Sequence, residues 1–163
     1  MAYQKAHVYY DRDADMSYLK GVKIAVIGYG SQGHAHAQNL KDSGCDVVVA
    51  LAANSRSKVR AEADGFTVLT VDEAAKCAGA IMFLCPDHMQ YKIYAEQVAP
   101  NMKPDTKLLF AHGFAIHFGQ IIPPATNDVL MIAPKGPGHM VRSMYKEGKG
   151  VPDLIAVFQN PSG

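Results

Sequence analysis

The sequence of 163 residues lacks tryptophan, contains only three cysteines and has almost no net charge. Because 16 Lys and Arg nearly balance 15 Asp and Glu, the formal charge of +1 gives little field to attract polyanions. No basic run interleaved with aromatic residues is present either, so nucleic acid is not expected as a partner. Cys45, Cys77 and Cys85 lack C-x-x-C spacing and lie in or beside apolar runs, which favours buried free thiols over a disulfide framework.

Long apolar segments are also missing. The amino-terminal stretch MAYQKAHVYYDRDAD does not resemble a signal peptide, and no run approaches the roughly 18 apolar residues of a membrane span. These features predict a soluble, cytoplasmic protein without membrane association. At roughly 150 residues per domain, and with no linker in the sequence, residues 1–163 are expected to form one domain.

Seven apolar runs have the length of strands, and most are followed by segments with helical spacing. The runs are continuously apolar, as in a parallel sheet covered on both faces, and the helical segments 31–44, 55–65 and 71–79 end at Gly44, Gly65 and Gly79. A fourth helical segment is expected at 88–101. The alternation predicts an α/β fold with a doubly wound, mostly parallel Rossmann-type sheet and helices on both faces. The predicted strands are 22–27, 46–51, 66–69, 80–85, 107–112, 128–133 and 153–158.

The glycine-rich stretch 135–152, between the last two predicted strands, is expected to be a loop. The sequence then ends shortly after its last strand without a closing helix. This ending predicts a chain that has been cut off.

Residues 28–33 (GYGSQG) match G-x-G-x-x-G directly after the first strand and at the start of a predicted helix. In this context Gly28 permits a tight turn, Gly30 allows the backbone to approach a diphosphate, and Gly33 allows the helix to pack closely on the strand. The helix N-terminus supplies N–H groups for the anion. His34 and Ala35 stand where a P-loop needs Lys and Ser or Thr, so a nucleoside triphosphate is disfavoured.

The end of the second strand indicates which dinucleotide is preferred. An acid that would bind the ribose 2′-hydroxyl of NAD is absent at residues 50–53 (ALAA). Asn54, Ser55, Arg56, Ser57 and Lys58 follow, and the two hydroxyls and two cations of this stretch suit the 2′-phosphate of NADP. The alternative is a solvated loop in which Ser55 or Ser57 caps the next helix.

Polar residues at three further strand ends are candidate site residues, because ligands of such sheets bind beyond the carboxyl ends of the strands. Asp87, within residues 85–90 (CPDHMQ), belongs to a segment that could line the nicotinamide, although it could equally cap a helix. His112 could transfer a proton or orient a substrate, whereas a lone histidine is otherwise most often structural. Lys135, in the turn KGPGH, could bind an anion or lie in a plain surface turn.

No metal site is predicted. Asp11, Asp13 and Asp15 have the spacing of a calcium loop, but Met16 and Val22 occupy the positions that require glycine and glutamate. The histidines at 34 and 36 lie two apart on a helix and therefore on different faces.

Together, the segments YYDRDADMSYLKG, IAVIGYGSQGHAHAQNLKDSG, LCPDHMQ, FAHGFAIHFGQIIPP and APKGPGHMVR resemble the amino-terminal domain of ketol-acid reductoisomerase. The resemblance implies a magnesium-dependent enzyme of isoleucine and valine synthesis. Enzymes of this family shift an alkyl group in a 2-acetohydroxy acid and then reduce the ketone with NADPH to give a 2,3-dihydroxy acid.

The resemblance also implies roles for individual residues. His112 matches the active-site histidine, and Lys135 lies near the active site, where we expect it to have an electrostatic role. The positions that match cofactor contacts are Tyr29, Gly30, Ser31 and Gln32 at the diphosphate, Ser55 and Ser57 at the 2′-phosphate, Asp87, His88, Met89 and Gln90 in a further segment, and Gly138.

The sequence departs from the family in three respects. Ala52 replaces an arginine that usually lies on the adenine, so Arg56 is a candidate substitute. His88 replaces a common acid, with no evident effect. The carboxylates that bind magnesium come from a carboxy-terminal knotted helical domain, and no part of this sequence matches it. The chain alone is therefore expected to bind cofactor without turnover, and a homo-oligomer is expected only for the full-length enzyme. The alternative is a nucleotide-sensing module that does not catalyse a reaction.

Overall fold

A computed structural model describes residues 6–163, and seven strands form one sheet in the order β3-β2-β1-β4-β5-β6-β7. All neighbouring strands are parallel except β6 and β7, which are antiparallel. The strands are β1 (Lys23–Ile27), β2 (Asp46–Ala50), β3 (Thr67–Leu69), β4 (Ala80–Phe83), β5 (Lys107–Phe110), β6 (Val129–Pro134) and β7 (Asp153–Gln159).

The strand order reverses next to β1. The chain moves outward from β1 through β2 to β3 and then returns to place β4 on the other side of β1. Loops after β1 and β4 therefore leave the sheet in opposite directions from one edge, which opens a crevice between them. This crevice lies at the carboxyl ends of the parallel strands.

Helices connect the strands, and two 3₁₀ turns, Asp11–Asp13 and Met16–Leu19, precede β1. A π-helical turn, Tyr94–Val98, continues the fourth helix. The α-helices are α1 (Ser31–Asp42), α2 (Lys58–Ala63), α3 (Val71–Cys77), α4 (Asp87–Ile93), α5 (Phe114–His117) and α6 (Gly138–Lys146).

Two apolar clusters, one on each face, hold the helices to the sheet. In β1, Ala25 and Ile27 belong to one cluster, while Ile24 and Val26 belong to the other, as the alternation of side chains along a strand requires. The stacked rings of Phe83 and Phe110, with centroids 4.9 Å apart, lie in the first cluster. The prediction that both faces of the central strands are covered is therefore confirmed.

The seven predicted strands are all present in a mostly parallel sheet, as predicted, but two predictions about the end of the chain were wrong. The apolar run of β7 was expected to be covered on both faces, whereas β7 is an edge strand whose apolar side chains, including Leu154 and Phe158, are exposed. The stretch predicted as a loop contains α6, which begins after Pro137 and is followed by Gly148 at φ +69°. Proline before the first turn and glycine after the last one are typical helix boundaries.

Two smaller predictions also need correction. Gly44 and Gly65 follow α1 and α2 with φ values of +85° and +77°, as predicted, but Gly79 has no positive φ. α3 ends two residues earlier, and a Cβ at Gly79 would lie 3.2 Å from the Cγ1 of Val22, so this glycine provides room for packing. The three cysteines are free, as predicted, but only half-buried.

No helix within residues 6–163 combines the length and apolarity needed to cross a membrane.

Candidate functional site

The turn between β1 and α1 depends on glycine at two positions. Gly28 has φ +99°, and a Cβ there would lie 2.9 Å from both the backbone N of Cys85 and the carbonyl oxygen of Leu84. A Cβ at Gly33 would overlap the carbonyl oxygen of Gly28. Side chains are therefore excluded at both positions by backbone atoms that cannot move independently.

Gly30 has a different environment. A Cβ at this residue would meet no atom within 4 Å, so the turn presents bare backbone to open space. Gly30 precedes α1, and its lack of a side chain leaves the first N–H groups of the helix without a side-chain cap. Free N–H groups and the positive end of the helix dipole together suit an anion.

A cleft of about 640 Å³ extends from this turn across the end of β2 to α4. Ala52, Ser55 and Ser57 line one side, and Met89 and Ile93 line the other. The walls are mostly apolar, with two hydroxyls at one end, which suits the adenosine part of a dinucleotide. We call this space the adenosine cleft.

A smaller cavity of about 190 Å³ lies on the other side of the turn, between the ends of β4, β5 and β6. Gln32, Asp87, Gln90 and His112 line it. Gln90 donates from Nε2 to the Cys85 carbonyl and to Asp87, while Gln32 donates from Nε2 to the Gly136 carbonyl. The Oε1 atoms of both glutamines are buried without a hydrogen-bond partner among residues 6–163.

The imidazole of His112 lies beside the carboxylate of Asp87, with 3.6 Å between Nδ1 and Oδ2. The same Nδ1 accepts the backbone N–H of Phe114 at 3.1 Å. This hydrogen bond assigns the proton of the neutral ring to Nε2. The Asp87 carboxylate therefore lies beside the ring without receiving a hydrogen bond from Nδ1.

Cys85 borders both spaces. Burial raises the pKa of its thiol to about 11, so the protonated form predominates at neutral pH.

The remaining predicted site residues do not all line these spaces, and Tyr29 makes other contacts with its side chain. Tyr29 is in the turn, but its ring packs on Phe66 and its hydroxyl donates to Asp64 at 2.7 Å. Burial, reinforced by Asp64, raises the pKa of Tyr29, so the phenol remains neutral. Tyr29 can therefore offer backbone rather than its hydroxyl to a ligand at this turn.

Gly138 is buried at the start of α6, where its N–H donates to Ser31 Oγ at 3.2 Å, and a Cβ would overlap the Ser31 carbonyl. Its position shows a packing role, and its contact with a cofactor stays a prediction. Lys135 follows β6, is exposed and lines neither space. Arg56 and His88 are also exposed and do not line either space.

Sequence reasoning missed a third depression, a groove of about 630 Å³ over the N-terminus of α1. Arg60, Arg142 and Lys146 bring positive charge to it, and Ser31 and Ser57 join it to the turn and the adenosine cleft. We call it the basic groove. Arg142 and Lys146 have helical i, i+4 spacing, but this signal lay in a segment that was interpreted as a loop.

Within the described part of the chain, no group of three His, Cys, Asp or Glu side chains lies close enough to hold a metal ion.

The glycine turn at the reversal of strand order, flanked by the adenosine cleft and the small cavity, defines a nicotinamide dinucleotide-binding Rossmann domain. A sequence model described as the NADPH-binding domain of acetohydroxy acid isomeroreductase matches residues 18–163. The chain therefore belongs to the acetohydroxy acid isomeroreductase family, whose other name is ketol-acid reductoisomerase. This finding confirms the resemblance inferred from the sequence.

Solved structures agree with this assignment. An NADH-preferring ketol-acid reductoisomerase from an uncultured archaeon superposes with a TM-score of 0.93 at 45% identity, over 97% of this chain and 49% of its own. The chain thus spans about half the length of that relative. More distant structures share only the fold. A pyrroline carboxylate reductase from Plasmodium falciparum with NADP bound has a TM-score of 0.65 at 12% identity, over 87% of this chain and 50% of its own.

Proposed function

We propose that this chain is the NADP(H)-binding half of a ketol-acid reductoisomerase that acts on 2-acetohydroxy acids. The observation that carries the proposal is the glycine turn, where backbone atoms exclude a Cβ at Gly28 and Gly33 while Gly30 faces open space. A diphosphate placed there would accept hydrogen bonds from the N–H groups that begin α1.

A preference for NADP is supported by the residues at the end of β2. Ser55 and Ser57 line the adenosine cleft. Ala52 follows the strand, so no acidic side chain at this residue repels a 2′-phosphate. The archaeal relative, which has the same fold, is described as NADH-preferring. The fold therefore does not determine which nucleotide is preferred, and we base the proposed preference on the local residues.

The small cavity is suited to the nicotinamide and the reacting carbonyl. The cofactor supplies a hydride when it is bound. His112 would donate a hydrogen bond from Nε2 to the substrate oxygen and so orient the substrate, because its Nδ1 accepts the Phe114 N–H. Asp87, Gln32 and Gln90 also line this cavity and add polar groups to it.

The alkyl migration requires a metal to polarise the substrate oxygens in the family to which this chain belongs. The described residues do not form such a site. We therefore propose that the chain alone binds cofactor but does not convert acetohydroxy acids, with magnesium ligands supplied by a further part of the enzyme.

A fluorescence titration with NADPH and NADH tests the proposal, and the absence of tryptophan keeps the protein background low. We expect saturable binding of both nucleotides, tighter for NADPH by about tenfold or more, because hydrogen bonds to a charged phosphate contribute about 1.5–3 kcal/mol. Absence of binding by either nucleotide to the folded chain would contradict the proposal. Equal affinity would contradict only the NADP preference.

A further inference from the structure

The basic groove contains positively charged side chains to which the proposed function assigns no role. Three cations line it, Arg60, Arg142 and Lys146, and its lining contains no acidic side chain. His34 also lines it, but burial, followed by the charge of Arg60, lowers the pKa of this histidine. The permanently charged cations of the groove are therefore the two arginines and the lysine.

These cations differ in whether an acidic side chain of the chain pairs with them. Arg142 donates to Asn39 at 2.9 Å and to Asp42 at 2.6 Å, so its charge is paired on the neighbouring helix. Arg60 is exposed and forms no ion pair with another residue of the described chain. Its guanidinium is thus available to a ligand.

Arg60 is connected to the adenosine cleft through Ser57. Ser57 lines both the groove and the cleft, immediately before α2, and Arg60 follows it by three residues on that helix. Residues three apart lie on the same side of a helix. A phosphate that reaches the Ser57 hydroxyl from the cleft therefore lies on the side of α2 from which Arg60 projects.

We propose that Arg60 is a specificity-determining residue that binds, together with Ser57, the phosphate monoester on the adenosine ribose of the cofactor. The inference rests on the proposed dinucleotide binding and adds to it the cation that distinguishes NADPH from NADH. It also replaces the expectation that Arg56 has this role, because Arg56 lines neither the groove nor the cleft.

The test compares the dissociation constants of NADPH and NADH for the wild-type chain and Arg60→Gln. Loss of one charged hydrogen-bond donor should raise the dissociation constant for NADPH about tenfold. NADH lacks the monoester, so its dissociation constant should change by less than about twofold. Arg60 is exposed, so the variant should keep the melting temperature of the wild type.

The control is Lys76→Gln, which removes an exposed positive charge from α3 at a residue that lines neither space. It should leave the NADPH to NADH ratio unchanged. If Arg60→Gln leaves that ratio unchanged while both nucleotides bind, the inference is wrong and the proposed function stands. If neither nucleotide binds to the wild-type chain, the proposed function itself fails. Equal weakening of both nucleotides in Arg60→Gln would assign Arg60 to the shared diphosphate and overturn the inference.

A second measurement distinguishes the cofactor monoester from free phosphate. We expect 2′-AMP to displace NADPH better than 5′-AMP does, and this difference should disappear in Arg60→Gln. Inorganic phosphate should not bind to the chain once NADPH is saturating. Binding of inorganic phosphate to the NADPH-saturated chain, sensitive to Arg60→Gln, would show an independent anion site and contradict the assignment.

Discussion

Gly30 and Gly33 lie three residues apart, but the structure gives the missing side chain a different consequence at each position. At Gly33 a Cβ would overlap the backbone of the turn, whereas at Gly30 it would enter the space where we place the diphosphate. Substitution of the two residues by alanine therefore separates folding from binding.

We predict that Gly33→Ala lowers the free energy of unfolding by about 1–3 kcal/mol, as overpacking does. Gly30→Ala should lower it by less than about 1 kcal/mol and weaken NADPH binding instead. Urea unfolding and NADPH titration of both variants check this. A stable Gly33→Ala variant, or a Gly30→Ala variant with wild-type affinity, would contradict the assignment of the two glycines.

His36 in α1 makes stability depend on pH. Burial lowers the pKa of His36, and its Nε2 has no partner within residues 6–163. The unfolded chain therefore binds a proton more readily than the folded chain does. Stability is fully present above the ordinary histidine pKa of about 6.5 and is lost as the pH falls from that value toward the lowered one.

Urea midpoints at pH 7.5 and 5.5 should accordingly show a lower stability at pH 5.5. His36→Gln should reduce this difference, although His34, whose pKa is also lowered by burial, will retain part of it. An unchanged pH dependence in His36→Gln would show that His36 does not contribute.

Among the elements, the β1 strand, the glycine turn and α1 were predictable because their determinants are local. Strand, glycines and helix lie within one short segment, and each glycine is required by contacts of the turn or of its immediate surroundings. α6 was not predictable in this way. Its stability depends on contacts made about 100 residues away, where Gly138 packs on Ser31 and Arg142 binds Asn39 and Asp42.

The same distinction applies to the site. The rule that ligands bind at the carboxyl ends of strands was sufficient to select Ser55, Asp87 and His112, which all border the predicted spaces. It could not reveal that Tyr29 is bound to Asp64, or that Arg60 shares a groove with α6, because sequence spacing does not indicate these partners.

We predict that Arg142 stabilises the packing of α6 on α1. Its guanidinium bonds to both Asn39 and Asp42 while the side chain is only 15% exposed, so Arg142→Met should lower the free energy of unfolding by about 1–2 kcal/mol. Lys146→Gln, one turn further along the same helix, should change it by less than about 0.5 kcal/mol. Chemical denaturation of both variants tests this. Equal stability of Arg142→Met and the wild type would show that the contacts are not stabilising.

For the whole molecule, cofactor binding should be visible as thermal stabilisation. NADPH at 100 times its dissociation constant should add about 2.7 kcal/mol, which raises the melting temperature of a domain of this size by about 5–10 °C. Since the described residues do not form a metal site, magnesium chloride should not increase this shift beyond that of sodium chloride at the same ionic strength. A shift that requires magnesium would contradict the proposal that the metal ligands lie outside this chain.

The central claim is that the turn between β1 and α1 binds the diphosphate of a dinucleotide through bare backbone. A crystal structure of the chain grown with saturating NADPH tests it most directly. The account predicts diphosphate oxygens within hydrogen-bonding distance of the N–H groups of Gly30, Ser31 or Gln32. NADPH bound at another place, with this turn open and without ligand, would contradict it.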